Sequence, residues 1–349
     1  MIDNHDIFMQ RALQLAENGR GHTMPNPMVG CVIVRNGSII AEGWHYKSGA
    51  PHAEVHAIHA VKDSSLLCKA TLYVTLEPCT HHGKTPPCID LILKKKIPRV
   101  IIGIQDPYSK VNGLGIQRLK EAGVEVIENI LKTACYALNR RFFTFHQKHR
   151  PYILLKWAQS LDGFIDISRD ENTSNTPFWI SNIYSRQLTH KWRTEEASIL
   201  TGTRTVLDNN PQLNARDWHG KNPIRIILDR QLSIPESYAI YDNKQPTLIF
   251  TEKEKKSDRE NVTFIPMNFD RNLLKNLIDQ LYKRNIQSII VEGGKQTLEE
   301  FIQKGLWDEA RIFTGEILLY KGLKAPKIKE KIHSKTKIDT DTLLTLTPD

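Results

Sequence analysis

Between residues 6 and 18 the apolar positions Phe8, Ala12, Leu15 and Ala16 recur near the 3.6-residue period and Gly19 follows as a stop, which predicts an amphipathic helix. The pattern then switches. Residues 29–35 form an apolar run of strand length, Asn36-Gly37 is a strong two-residue hairpin signal, and residues 39–45 make the return strand. A helix over 53–62, a strand over 71–76, a helix over 88–95, a strand over 100–104, a helix near 115–122 and a short strand over 124–127 complete a first unit. Alternation of this kind predicts an α/β sandwich, one central sheet covered by helices.

The polar stretch His146-Gln147-Lys148-His149-Arg150-Pro151 reads as a junction, which places a first domain at 1–147 and a second at 148–349. In the second, strands are expected at 152–157, 197–201, 224–228, 247–251, 262–265 and 288–292, with polar surface loops at about 168–177 and 252–261. Seven lysines between Lys321 and Lys337 read as a solvated surface, only weakly suited to phosphate. No internal repeat is visible.

Composition narrows the class. A chain of 349 residues with 40% hydrophobic and 25% charged positions is a folded protein of about two domains, not a disordered, collagen-like or small disulfide-scaffold chain. No run of about 18 apolar residues occurs, so no membrane partner is expected. The start Met1-Ile2-Asp3-Asn4-His5-Asp6 lacks the basic-then-apolar pattern of a signal peptide, so a cytoplasmic location is expected. Five cysteines, Cys31, Cys68, Cys79, Cys88 and Cys135, then argue against a disulfide framework and leave metal ligands or buried thiols. The net charge of +9 suits anionic small molecules or weak nucleic-acid contact and decides neither.

Three residues carry candidate metal chemistry. His52 opens a predicted helix, Cys79 follows Pro78 at the end of a strand, and Cys88 opens the next helix. One imidazole and two thiolates give zinc three protein ligands and leave a fourth position for water, whose pKa the metal lowers. Glu54, on the turn that begins at His52, is placed to take that water's proton and deliver it to a leaving amine. This is the H-x-E…P-C…C logic of the zinc nucleobase deaminases. His-x-Glu alone is weak; the strand-end Pro-Cys and the helix-start Cys make the set specific. Eight residues, Thr80-His81-His82-Gly83-Lys84-Thr85-Pro86-Pro87, separate the cysteines where related deaminases carry two. They read as a longer zinc loop, or as a loop suited to a phosphate or ring edge.

The blocks Pro25-Asn26-Pro27-Met28-Val29-Gly30, His52-Ala53-Glu54-Val55-His56-Ala57 and residues 77–88 resemble those of the bifunctional riboflavin-biosynthesis deaminase–reductase family. The resemblance implies a cytidine-deaminase-like α/β/α sandwich followed by a dihydrofolate-reductase-like α/β domain. It implies that Asn26 and His45 contact a pyrimidine substrate, and that His81 and Lys84 approach the substrate and its phosphate. Taken alone, Asn26 is a turn residue and His45 a half-buried strand histidine.

The later stretches Pro151-Tyr152-Ile153-Leu154-Leu155-Lys156, Ser160-Leu161-Asp162-Gly163, Ile199-Leu200-Thr201-Gly202 and Val291-Glu292-Gly293-Gly294 resemble the reductase half of that family. The predicted strand ending at Glu292, then Gly293-Gly294, then a helix over 297–304, also turns free N–H groups toward an anion; it is not a G-x-G-x-x-G fingerprint. The resemblance implies an NADPH site lined by Gln159, Trp179, Thr205, Asn209, Gly293, Gly294 and the segment to residue 300. It implies a sugar-phosphate site of Arg193, Leu213, Arg216 and Glu292, with Lys156 polarising or protonating the open-chain carbonyl. Two features depart from the family: Asn209-Asn210 stands where an acidic pair is usual, and the polar region 168–178 is long.

The expected function is zinc-dependent deamination of a diaminopyrimidine ribosylamine phosphate, followed by NADPH-dependent reduction of its ribosyl group. The expected partners are small phosphorylated pyrimidines and a second copy of the chain in a homo-oligomer, with no nucleic acid. Three rivals stay open: a nucleic-acid deaminase, a deaminase with a silent reductase-like domain, and a structural zinc protein.

Overall fold

A computed structural model describes residues 5–80, 86–108, 111–169 and 177–348. The chain divides into two units, Met1–His149 and Arg150–Asp349. In the first, α1 (His5–Glu17) precedes β1 (Gly30–Arg35) and β2 (Ser38–Trp44); then come α2 (Ala53–Ala60), β3 (Thr71–Val74), α3 (Cys88–Lys94), β4 (Arg99–Ile102), α4 (Leu114–Glu121), β5 (Glu125–Ile127), α5 (Lys132–Leu138) and α6 (Arg140–Lys148). The sheet order is β2-β1-β3-β4-β5, with β1 antiparallel to both neighbours and β3, β4 and β5 parallel.

The apolar run of β1 is continuous because both faces of the sheet are covered. Cys31 and Ile33 enter the core beneath α2 and α3, while Val32 and Val34 enter the opposite core with Met9, Ala12 and Leu15 of α1. Asn36 and Gly37 turn with φ of 49° and 74°, the pair of positive angles a two-residue hairpin needs. At Gly30 the strand touches α1 through backbone alone.

Two helices of this unit are absent from the sequence pattern, and residues 146–148 end α6 where a polar junction is expected. The buried residues of α6 are four in a row, Phe142, Phe143, Thr144 and Phe145, which hides the helical period.

The second unit comprises β6 (Tyr152–Gln159), β7 (Phe164–Asp166), α7 (Ile183–Glu195), β8 (Ser198–Gly202), α8 (Thr203–Asn209), β9 (Ile224–Leu228), β10 (Thr247–Thr251), β11 (Val262–Pro266), α9 (Leu273–Lys283), β12 (Ser288–Val291), α10 (Lys295–Gln303), β13 (Glu309–Thr314), β14 (Leu323–Lys324), β15 (Ile332–Ile338) and β16 (Asp341–Leu346). Nine strands form one sheet in the order β11-β10-β9-β8-β12-β6-β13-β16-β15. From β11 to β13 they run parallel; β16 and β15 close one edge antiparallel.

Helix α7 was hidden in the pattern because its buried positions include Ser185, Thr189, His190 and Thr194, polar residues with no apolar stripe. The lysine-rich end is solvated, as its composition indicates, but it is built: β15 is an exposed edge strand carrying Lys335 and Lys337. Lysines on such an edge discourage further strand pairing.

An alanine Cβ at Gly30 would lie 1.9 Å from the Ala12 carbonyl oxygen. Gly30→Ala is therefore expected to destabilise the first unit by roughly 1–3 kcal/mol, read as a lower melting temperature in calorimetry; an unchanged melt would mean that α1 moves aside freely.

Candidate active sites in the two units

His52 caps the N-terminus of α2, Cys88 opens α3 behind Pro87, and Cys79 lies five residues past the end of β3. The fold brings these three together. His52 Nδ1 is 3.5 Å from Cys79 Sγ and 3.3 Å from Cys88 Sγ, and the three donor atoms all lie within 4.8 Å of one another. Tetrahedral zinc, with its bonds to sulfur and nitrogen, sets such atoms roughly 3.6 Å apart. The donor set therefore fits the metal, and among the described residues no fourth ligand joins the group.

The electrostatics also favour thiolate. The Cys88 N–H, at the start of α3, donates to Cys79 Sγ at 3.3 Å. The Cys79 thiol is held well below its ordinary range, chiefly by the Cys88 thiol and then by His52, while the Cys88 thiol is pushed up by sharing that proton. Glu54 is only 3% exposed. Burial pushes its carboxyl up, His52 pulls it down, and the Cys79 charge adds to the rise.

Asn26 and His45 are in contact, Nδ2 to Nε2 at 3.2 Å, and the His45 and His52 rings lie edge to face with centroids 5.3 Å apart. His45 Nδ1 is 3.1 Å from the Pro51 carbonyl, which can only accept, so Nδ1 carries the proton. Burial pushes the imidazole down, so it is neutral and Nε2 accepts from the Asn26 amide. The turn residue and the strand histidine are thus one hydrogen-bonded unit beside the candidate metal ligands. His81 and Lys84 lie outside the described residues.

Two carboxylates beside this site went unread in the sequence. Asp106 follows β4, and burial pushes its carboxyl to about 7, with the Glu77 and Cys79 charges adding to the rise. Glu77 accepts backbone N–H groups from the loop after β4. Their signal was positional: both follow the carboxyl ends of adjacent parallel strands, where ligands of α/β sheets gather.

In the second unit Lys156 of β6 faces Glu292, which follows the neighbouring strand β12; Lys156 Nζ is 3.6 Å from Oε2. Arg193 of α7 grips the same carboxylate with Nε and Nη2 at 2.8 and 2.7 Å. Burial would raise the Glu292 carboxyl, but Arg193 and then Lys156 hold it at about 2. Burial also pushes the Lys156 ammonium down, opposed by Glu292 and reinforced by Arg193.

Arg193 Nη1 also donates to the Asn214 carbonyl at 2.9 Å, so Arg193 is held within the protein through three N–H groups and keeps others for a ligand. Arg216 is exposed and donates to Asn214 Oδ1 at 3.2 Å. The Leu213 side chain is in the apolar core, so its backbone is the part that could meet a ligand. His190 joins the cluster unannounced. Its Nδ1 accepts the Asp217 N–H at 3.2 Å and Nε2 is 3.3 Å from Asp217 Oδ2, with burial first and Arg193 next holding the imidazole at about 4.

Of the cofactor candidates, Thr205 and Asn209 belong to α8, and Thr205 meets Gly293 and Gly294 before α10. A Cβ at Gly293 would lie 3.2 Å from both Thr201 Oγ1 and Thr205, and one at Gly294 would lie 3.0 Å from Thr205 Oγ1. Thr201 Oγ1 is buried without a partner among the described residues. A space that a methyl would fill, an orphaned hydroxyl and an uncapped helix start suit the phosphate-bearing part of a dinucleotide. Trp179 is 50% exposed, under the Arg186 guanidinium at 4.4 Å, so it is a surface aromatic and not core. Gln159 Oε1 accepts the Trp157 indole N–H at 3.0 Å. Asn209 Oδ1 accepts from Arg169 at 3.0 Å, and Arg169 also grips Asp166 at 2.8 Å. Arg169 thus bridges Asn209 and Asp166. Asn210 adopts a φ of 39° as the cap of α8, a conformation asparagine tolerates.

Comparison with known proteins separates the same two regions. Residues 2–104 match the cytidine and deoxycytidylate deaminase zinc-binding region, and residues 151–343 match the RibD C-terminal domain. The chain is 38% identical over 323 residues to the riboflavin biosynthesis protein RibD of Aquifex aeolicus, covering 90% of this chain and 88% of the relative. It is 36% identical over 333 residues to RibD of Escherichia coli, covering 90% and 88%. The crystal structure of a Thermotoga maritima diaminohydroxyphosphoribosylaminopyrimidine deaminase/5-amino-6-(5-phosphoribosylamino)uracil reductase is similar at a TM-score of 0.88 and 36% identity, with 99% of each chain covered. Acinetobacter baumannii RibD gives a TM-score of 0.88 at 33% identity, again with 99% of each covered.

Cys88→Ser is expected to weaken zinc binding by more than about 100-fold, measured by competition with a chromophoric chelator; retained affinity would remove Cys88 from the ligand set. Glu292→Gln leaves two largely buried cations without their carboxylate and is expected to cost the second unit about 3–5 kcal/mol. The folded carboxyl titrates near 2 against an ordinary 4.5, so this stabilisation is complete above the ordinary value and is lost as pH falls toward the folded one. Calorimetry from neutral pH down to the acid range should show the gap between wild type and variant closing.

Proposed function

The chain belongs to the RibD family of riboflavin biosynthesis proteins, and we propose that its two units carry the two steps named for the Thermotoga maritima relative, in that order. The N-terminal region is a cytidine-deaminase-like domain that uses zinc, and the C-terminal region is a dihydrofolate-reductase-like RibD domain that uses NADPH. The observation that carries the reading is the His52, Cys79 and Cys88 group with the buried Glu54 carboxyl beside it.

Zinc bound by these three donors supplies a Lewis acid that makes water a nucleophile near neutral pH. His52, Cys79 and Cys88 hold the metal, and the Asn26–His45 pair meets the ring of the diaminopyrimidine. Glu54 takes a proton from the attacking water on its carboxyl oxygen and delivers it to the departing amino nitrogen. Water enters, ammonia leaves, and the ring becomes a uracil. A buried carboxyl suits both transfers, because burial brings its pKa toward the working pH.

In the second step Lys156 Nζ gives a proton to the ribosyl ring oxygen as its bond to C1′ breaks, which leaves a chain hydroxyl and a C1′=N iminium carbon. NADPH held in the site would supply the hydride that C1′ takes up, giving the ribitylamino group. Burial makes Lys156 a readier donor, and Glu292 holds it in place. Gly293, Gly294, Thr205, Gln159, Asn209 and Trp179 would line the cofactor, and Arg193, Arg216, Glu292 and the Leu213 backbone would meet the sugar phosphate. Small phosphorylated pyrimidines are the substrates on this reading, with no nucleic acid, in a homo-oligomer at work in the cytoplasm. Among the described residues, no helix is long and apolar enough to cross a membrane.

Zinc-loaded protein supplied with the diaminopyrimidine ribosylamine phosphate should release ammonia and then oxidise NADPH. Glu54→Gln should slow ammonia release by at least about 100-fold while the uracil intermediate is still reduced at the wild-type rate. Lys156→Met should do the reverse. Ammonia without NADPH oxidation in wild type would reveal a silent reductase domain, and neither signal with zinc bound would refute the substrate. Steep salt dependence of turnover would point instead to a nucleic-acid substrate.

A further inference from the structure

We propose that His190 is a positioning residue for the reduction: its imidazole fixes the peptide that joins Arg216 to Asp217 and so holds the Arg216 guanidinium ready for the sugar phosphate. The inference rests on the reductase reading above.

Residues 210–223 connect α8 to β9 as a loop. Leu213 within it adopts a φ of 52°, a left-handed conformation that a leucine does not hold by itself. Contacts from outside the loop must hold it, and α7 supplies them. His190 Nδ1 accepts the Asp217 N–H at 3.2 Å. One turn later Arg193 Nη1 donates to the Asn214 carbonyl at 2.9 Å. A Cβ at Gly220 would lie 2.7 Å from Thr194, so the backbone itself lies against the helix there. Residues 190, 193 and 194 share one helical face, and that face carries the loop.

The same contacts bring Arg216 to the site. Lys156 pairs with Glu292 at 3.6 Å, Glu292 with Arg193 at 2.7 Å, Arg193 with the Asn214 carbonyl, and Asn214 Oδ1 with Arg216 Nη1 at 3.2 Å. His190 is 3% exposed. Because Nδ1 accepts, the proton of the neutral ring is on Nε2, which donates to Asp217 Oδ2 at 3.3 Å. Burial, and after it the Arg193 guanidinium, holds the imidazole at about 4 against the pull of Asp217, so the accepting form is the one present near neutral pH. A peptide unit is planar, so an anchored Asp217 N–H also fixes the Cα of Arg216. Arg216 is thus held at its backbone by His190 and at its guanidinium by Asn214, while its exposed end stays open to a ligand. Ordering a long side chain costs affinity, and an arginine already held near its working place avoids part of that cost.

The test supplies the uracil intermediate and NADPH to the full chain. His190→Phe keeps a ring and removes both nitrogens. The expected result is a KM for the intermediate raised at least about 10-fold, with kcat within about 3-fold of wild type. The KM for NADPH and the rate of ammonia release should not change. His190→Asn keeps an oxygen that can accept the Asp217 N–H and should restore KM to within about 3-fold of wild type. With the intermediate stripped of its 5′-phosphate, kcat/KM should be the same in wild type and His190→Phe. His190→Leu decides the matter if the ring variant does not fold. Unchanged KM in the apolar variants would overturn the proposal, and so would a lack of rescue by asparagine. An equal loss on the unphosphorylated substrate, or loss of folding in both apolar variants, would also overturn it, because the histidine would then serve the fold alone. Failure of wild type to oxidise NADPH with the intermediate would instead refute the reductase reading itself.

Discussion

Charge removed from water needs a partner, and in this protein the buried charges meet three different answers to that requirement. Glu292 is compensated by two side-chain cations, Arg193 and Lys156. Glu77 is compensated by four main-chain N–H groups. The His52, Cys79 and Cys88 donors share a proton between two thiols and have room for a dication. Each answer does something different. Side-chain cations leave a titratable neighbour, main-chain amides fix a loop, and soft donors select a metal.

The placement of these groups follows from the sheets. Parallel strands covered on both faces present their carboxyl ends as the open rim, where loops meet and no layer shields the backbone. Glu77 and Asp106 follow β3 and β4; Glu292 follows β12 beside Lys156 of β6. Apolar cores on both faces hold those strands, with Ile153 and Leu155 of β6 on one side and Tyr152 and Leu154 on the other. Strand alternation thus explains why Lys156, next after the apolar run of β6, is buried and faces a carboxylate.

A helix was legible where its buried face is apolar at the helical period, as in α1, which buries Ala12, Leu15 and Ala16; α7 turns serine, threonine and histidine inward and α6 buries four consecutive residues. In α7 the inward polar residues belong to the cluster that holds Arg193 and the Asp217 turn. A helix that serves a polar site has no stripe to read. For the same reason the pairing of Arg193 went unseen, since its partner Glu292 lies 99 residues away.

What the sequence determined by itself was everything carried by spacing along the covalent chain. The alternation of the strands, the Asn36-Gly37 turn, and a histidine and two cysteines set at the boundaries of helices and strands are all local, and local order survives in a one-dimensional record. Tertiary structure alone decided which charges meet. It joined Asn26 to His45, paired Arg193 with Glu292, set Arg169 between Asp166 and Asn209, and brought the first turn of α4 to Glu77. Electrostatic compensation depends on distance in space and on burial, and neither is written in the order of the residues.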